Sequence, residues 1–216
     1  MVSIGHPLPR EFLDGHRRMR LAGAVSELAH DEGLGGLTVT AIAARAGGSR
    51  STFYELFADR DACVEFACQE AERRLFEPVR EVLAVERAWP ERLGAAIEAL
   101  LGATVAAPRF AELCLIHSAA LPGAAGSGAE AGVPTMIATL EGGRAAGRAA
   151  LGAGYVEPPA SIEELVARGV LSVVAMRLGA GEVDTLPSLI RELTILAAGP
   201  FLGTERANEL GRTAAA

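Results

Sequence analysis

An all-α fold follows from three features of this 216-residue chain. No stretch shows the apolar–polar alternation of a half-buried strand. Apolar residues instead recur at three- and four-residue spacing in block after block. Glycine and proline fall between these blocks, where helices stop and start. The expected architecture is an N-terminal three-helix unit containing a helix-turn-helix, followed by a larger helical domain. Half the residues are apolar, enough for the cores of one large or two modest domains.

The first helix is expected from about Leu13 or Gly15 to Asp31, with Leu21, Val25, Leu28 and Ala29 as its core stripe and Gly33 closing it. Thr38 caps a short second helix whose apolar face is Ile42, Ala43 and Ala46. Gly47-Gly48 ends that helix, and Ser49 caps a third from Arg50. Arg50, Ser51, Thr52 and Tyr54 share one side of it, while Phe53 and Phe57 form an apolar pair one turn apart. A fourth helix starts near Asp59-Arg60-Asp61, whose acids suit a helix N-terminus, and runs past Val82 with a kink expected at Pro78.

Trp89-Pro90-Glu91 opens a fifth helix reaching about Val105, and Pro108 starts a sixth that carries Phe110, Cys114 and His117. Gly123 to Gly132 has the composition of a flexible loop, and a seventh helix is expected from about Pro134 to Leu151. The small residues at the end of that helix permit close helix approach. Ser161 with Glu164 offers a capping-box start to an eighth helix, and a ninth spans about Asp184 to Ala198.

A short helix with a polar front and an apolar back after a glycine turn has the form of a nucleic-acid reading head. The string from Thr38 to Val64 resembles the N-terminal signature of TetR-type transcriptional regulators. The resemblance is carried by the small-residue helix Ala41 to Ala46, the segment Arg50 to Phe57 with its Phe-Tyr pair, and Phe57-Ala58-Asp59-Arg60-Asp61. It covers about the first 70 residues. Gly48 departs from the pattern, which places a branched apolar residue there, so an anchor of the turn is lost.

The net charge of −7 does not by itself favour a nucleic-acid binder, but its distribution does. Between Thr38 and Tyr54 the only charges are Arg45 and Arg50, and Arg10, Arg17, Arg18 and Arg20 lie ahead of them. A modest salt dependence of binding is expected. The charged N-terminus does not suit a secretory signal, and apolar runs are too interrupted for a membrane span, so a cytoplasmic protein is expected. Cys63, Cys68 and Cys114 have no metal-ligand spacing and are expected as buried thiols, with no cofactor. A G-x-S-x-G motif and a phosphate-binding glycine loop after a strand are both missing, which argues against an enzyme.

The resemblance implies a helix-turn-helix domain at 1–58 and a helical effector-binding and dimerisation domain at 59–216. It implies a ligand-responsive dimeric regulator, a repressor, that binds a palindromic operator in double-stranded DNA and is released by a small, largely apolar effector. The alternative is a helix-turn-helix regulator without a small-molecule effector, controlled by a partner or acting as an activator. The DNA-contact candidates are Thr38, Thr40, Arg45, Ser49, Arg50, Ser51, Thr52, Tyr54 and Arg60. Trp89, Phe110, Cys114, His117 and Met136 are candidates for lining an effector cavity, each also suited to ordinary core, with Glu98 a further polar candidate. For the homodimer interface they are Leu165, Val170, Val173, Val174, Leu189, Leu193 and Leu196 on the last two helices.

Overall fold

Ten α-helices, with short 3-10 and π turns between them, make up the computed structural model, which describes residues 10–121 and 128–214. No strand occurs among the described residues, as the missing alternation predicts. Helix α1 (Arg10–Glu32) buries Leu21, Val25, Leu28 and Ala29, and Gly33 follows it at φ 71°. It starts a few residues earlier than its sequence pattern suggests. The two short helices α2 (Val39–Arg45) and α3 (Arg50–Leu56) pack on it through Ile42, Ala43, Phe53 and Leu56.

Helix α4 (Arg60–Leu83) leaves this head and packs against α1 and against the helices beyond. Pro78 lies inside its continuous helical run. Helix α5 (Trp89–Ala106) carries Leu93, Ile97, Leu100 and Leu101 into the core. The short α6 (Pro108–Glu112) continues into a π-helical turn at Leu113–His117, a form often found at functional positions.

Beyond residue 128 the structure departs from the sequence pattern at four places. The expected loop at Gly123 to Gly132 lies partly outside the described residues, and its last part, from Ala129, is already helical. The expected seventh helix is two: α7 (Ala129–Leu140) and α8 (Gly143–Leu151), separated at Gly142 with φ 94°. The break lets α8 turn and press its small face on the core. A side chain at Gly143 would meet Trp89 and Phe201, and one at Gly147 would meet Tyr155 and the Phe201 carbonyl. The small-residue stretch does allow close approach, as expected, but to α10 rather than within one long helix.

Helix α9 (Ile162–Gly179) begins at Ser161 without a side-chain cap, so the capping box does not form, and Glu164 pairs with Arg168 instead. The last helix is also displaced. Val183–Leu189 forms a 3-10 segment, and α10 (Ile190–Ala214) runs through Gly199-Pro200 to a kink at Gly203. A proline in a helix interior costs about 3 kcal/mol. Phe201 and Leu202, both buried directly after it, each contribute about 1.5–3 kcal/mol by leaving water. Together they outweigh the proline, and local punctuation is overridden. Among the described residues no single helix is long and apolar enough to cross a membrane.

Candidate nucleic-acid interface

The helix-turn-helix is built from local hydrogen bonds that its sequence specifies. Thr38 Oγ1 accepts from the Ala41 N–H at 3.1 Å, and Ser49 Oγ accepts from the Thr52 N–H at 3.2 Å. Between the helices, the N–H groups of Gly47 and Gly48 donate to Ala44 and Ala43. Gly47 sits at φ 68°, a conformation that L side chains rarely adopt. Phe53 and Phe57 form the buried pair, with ring centroids 5.9 Å apart, and Phe66 extends the aromatic cluster from α4.

The opposite side of α3 faces solvent. Arg50, Ser51 and Tyr54 are exposed, as is Thr40 on α2, while Thr52 is half-buried with its hydroxyl 3.1 Å from Ser49 Oγ. The Tyr54 ring meets Phe53 edge-on at 5.5 Å, which holds its outer edge in place. Thr38 and Ser49 are also exposed, each with its side chain engaged as a cap. Short, exposed, donor-rich side chains on one rigid face suit base and phosphate contact.

Two arginines are placed differently from the sequence expectation. Arg45 points back at the acidic end of α1, 2.7 Å from Asp31 and 3.5 Å from Glu27, with Glu32 at 3.7 Å. The Arg45 guanidinium holds the Asp31 carboxyl below the usual carboxylate range. Its charge is therefore largely matched within the head. Arg60 turns to Asp61 with Nε at 2.8 Å, while Asp59 accepts the Ala62 N–H at 2.8 Å. The start of α4 thus already holds two carboxylates, which oppose a phosphate there. The sequence signal for the first pairing was weak, since Asp31 and Arg45 are fourteen residues apart in different helices.

Arg20, by contrast, reaches the turn itself. Its guanidinium donates to the Ala46 carbonyl at the end of α2. Beneath the turn lies a crevice of about 220 Å³ lined by Arg17, Arg20, Gly47, Gly48, Ser49 and Thr52, with apolar residues at its base. Arg18 lies over the Phe57 ring at 5.5 Å. Arg10 is helical, but its side chain lies outside the described residues.

The head meets the remaining helices through two buried carboxylates. Glu112 of α6 lies 2.6 Å from His30 Nδ1 and accepts from Arg109 at 3.1 Å. Glu70 of α4 accepts from Arg73 and Arg74 at 2.6–2.9 Å. Burial pushes the Glu70 carboxyl up, but the hydrogen bonds from the two guanidinium groups outweigh it and hold it below its ordinary value. Arg74 also covers the Phe110 ring at 4.3 Å. These contacts tie α6 to both α1 and α4.

The five effector-cavity candidates are spread through the body. Trp89, Cys114 and Met136 are buried in the core, and Trp89 Nε1 donates to the Thr139 carbonyl at 3.1 Å. Phe110 lies under Arg74, and His117 is half-buried at the end of the π turn. None of the five lines the crevice beneath the turn or either of two cavities in the body. One of these, of about 200 Å³, lies between α7 and α9 with Leu115, Val133, Leu171 and Ala175 as apolar lining. Arg168 and Glu130 stand at its edge, paired at 2.7 Å. Glu98 on α5 is exposed. The three thiols are buried, and burial pushes Cys63 up to about 12, Cys68 up to about 11 and Cys114 higher still. No group of residues that could hold a metal occurs among the described residues.

The interface candidates divide into two sets. Val170, Val174, Leu189 and Leu193 pack into the protomer's own core, so they are not available to a second chain. Sequence pattern could not separate them from outward positions because both helices are apolar on two sides. Val173 is half-buried, and Leu165 and Leu196 face outward at 60% and 44% exposure. Met176, at 65%, faces outward with them.

A capped helix-turn-helix with an exposed polar face, carried on an all-helical body, has the form of a DNA-reading head. Residues 21–66, within the helix-turn-helix head, match the sequence model described as "Bacterial regulatory proteins, tetR family". A comparison with curated proteins gives no match. Among solved structures, the chain is similar to the fatty acid degradation regulator FadR from Bacillus halodurans. The TM-score is 0.69 at 15% identity, covering 85% of this chain and 95% of that one. A TetR-like transcriptional regulator from Rhodococcus sp. RHA1 gives 0.63 at 20% identity, covering 85% and 94%. The transcriptional regulator FadR from Bacillus subtilis, in complex with stearoyl-CoA, gives 0.62 at 14% identity, covering 86% and 98%. At these identities the likeness is one of fold.

Proposed function

We propose that this protein is a homodimeric, ligand-responsive transcriptional repressor acting on a palindromic operator in the cytoplasm. Residues 1–58 would form the reading head, and 59–216 the effector-binding and dimerisation body. The observation that carries this reading is the outward face formed by Thr40, Arg50, Ser51 and Tyr54 on a doubly capped helix pair. Arg50 and Tyr54 are assigned to base and phosphate contact, with Thr52 and Ser51 at the groove wall. The outward apolar residues Leu165, Met176 and Leu196, with Gly169 and Ser172 between them on α9, support pairing of α9 and α10 with a second copy. Two-fold pairing presents two heads to two half-sites.

The effector is assigned as a small, largely apolar molecule. The structural likeness to a FadR solved with stearoyl-CoA makes a long-chain acyl thioester the first compound to try. The α7–α9 groove, apolar inside and charged at the rim, fits the mouth of such a site. Ligand acts by favouring the conformer whose heads no longer match the half-sites. The test is selection from random duplex DNA at two salt concentrations, followed by titration of the selected duplex with stearoyl-CoA. A palindrome retained at the higher salt, and released by the thioester, is the expected result. Enrichment of no palindrome would sink the operator reading.

A second reading keeps the head and dispenses with a small-molecule effector, control coming from a protein partner or through activation. It is favoured by the closed packing of Trp89, Cys114 and Met136. A selected duplex that no thioester or apolar compound releases would decide for it.

A further inference from the structure

We infer that Arg20 is the positioning residue of the recognition helix, holding the α2–α3 turn from α1 in place of a side chain in the turn itself. This rests on α3 being the helix that meets DNA. No side chain of the turn's two glycines fixes it. Gly47 and Gly48 carry no side chain, and a Cβ at Gly48 would meet only the Ala43 carbonyl, at 3.7 Å. The space that an anchoring side chain would fill is open, as the crevice of about 220 Å³ beneath it.

Arg20 crosses that space. Of the carbonyls at the end of α2, those of Ala43 and Ala44 accept from Gly48 and Gly47, and that of Ala46 accepts from Arg20. A Cβ at Gly47 would lie 2.7 Å from the same guanidinium nitrogen. The second glycine-specific feature of the turn is therefore the close passage of Arg20, beyond its positive φ. Ser49 directly follows and caps α3, so a displacement of Ala46 carries to the start of α3 within three residues. Arg17, one turn earlier, lines the same crevice but leans to Asp14 at 3.4 Å and makes no bond to the turn.

Three variants test this: Arg20→Ala, Arg20→Lys and the double variant Arg20→Ala/Gly48→Val. Gly48 has ordinary backbone geometry and open space, so a valine there fills the crevice with an apolar anchor. The first readout needs no DNA: amide hydrogen exchange over residues 46–56. Arg20→Ala is expected to speed exchange there by about tenfold or more with unchanged exchange in α9, and Gly48→Val to reverse it. Wild-type exchange in Arg20→Ala would overturn the assignment, whatever the operator proves to be.

The second readout is affinity for the duplex selected by the wild-type protein, measured across salt. A positioning residue lowers affinity without changing the salt slope, whereas a lost phosphate contact lowers the slope by about 1. Arg20→Ala is expected to weaken binding about tenfold at constant slope, with recovery in the double variant. A slope reduced by about 1, with no recovery from Gly48→Val, would make Arg20 a phosphate contact instead. Should Arg20→Ala not fold, Arg20→Lys decides, since it keeps the charge with a single donor centre. Faster exchange at full slope supports positioning, and wild-type exchange at a reduced slope overturns it.

Discussion

His30 Nδ1 and Glu112 Oε2 lie 2.6 Å apart, joining the last turn of α1 to the end of α6. Arg109 approaches the same nitrogen at 2.8 Å. One ring nitrogen cannot donate to a carboxylate and accept from a guanidinium at once, so a hydrogen on Nδ1 selects Glu112 and a bare Nδ1 selects Arg109. Glu112 is buried, whereas His30 and Arg109 are substantially exposed. The cost of losing the cluster therefore falls unequally on its members.

Glu112→Ala is expected to destabilise the fold by about 1–3 kcal/mol, because it removes a buried acceptor and opens a space at the α1–α6 contact. For a chain of this length that lowers the melting temperature by several degrees. His30→Ala leaves Glu112 with Arg109 and should cost less. Thermal melts of the two variants and their double mutant check this. Equal effects would show that the contact is not where the burial lies.

Glu70 predicts the sign of one pH dependence. Its folded carboxyl is held below the ordinary value of 4.5, so its contribution is complete above that value and fades as the pH falls below it. Glu70→Gln should lower stability at neutral pH and flatten the loss of stability on acidification. Urea midpoints above and below pH 4.5 measure it, and parallel curves for the two proteins would contradict the assignment.

Gly147→Ala and Gly102→Ala should act in opposite directions. A Cβ at Gly147 has no room against Tyr155 and Phe201, so overpacking of about 1–3 kcal/mol is expected. A Cβ at Gly102, inside α5, meets nothing within 4 Å, and the alanine should add about 0.5–1 kcal/mol through helix propensity. Denaturant unfolding of the pair tests whether the α8–α10 approach is as close as described.

The thiols should be silent in the folded protein. Burial raises all three, and Cys63 and Cys114 are fully enclosed. Slow or no labelling by a thiol reagent at pH 8, with full labelling in denaturant, is the expected outcome. Rapid native labelling of any cysteine would point to an opening of α4 or the π turn.

On DNA, Arg50→Ala and Tyr54→Ala should abolish specific binding while the dimer persists. Arg45→Ala should instead leave the salt slope unchanged, because Arg45 already faces Asp31 and Glu27. Gel-shift titrations across salt on the selected duplex, with sedimentation to follow the dimer, separate the two behaviours.

Much of the head was legible from sequence because its determinants are local. Thr38 and Ser49 cap helices within three residues of themselves, Gly47 turns the chain where it stands, and Asp59 starts α4. Burial of Leu21, Val25, Leu28, Phe53 and Phe57 follows from helical spacing. Arg45 was not legible. An arginine on a small helix beside a recognition helix looks like a phosphate contact until Asp31 is brought to it by the packing of α1 on α2.

The body was harder for the same reason. Two glycines at 142 and 143 do not say whether a helix breaks there. Trp89 and Phe201 packing against Gly143 decides it. Nor does Gly199-Pro200 say that a helix continues, since burial of Phe201 and Leu202 from distant contacts makes it do so. The sequence alone determined the all-helical class and the capped helix-turn-helix, because hydrogen bonds within one turn and a 3.6-residue period are local quantities. Tertiary structure decided which arginines are spent within the molecule, where α7 ends, and which apolar residues of α9 and α10 face outward. Those depend on what lies across the packing interface, and no spacing along the chain encodes it.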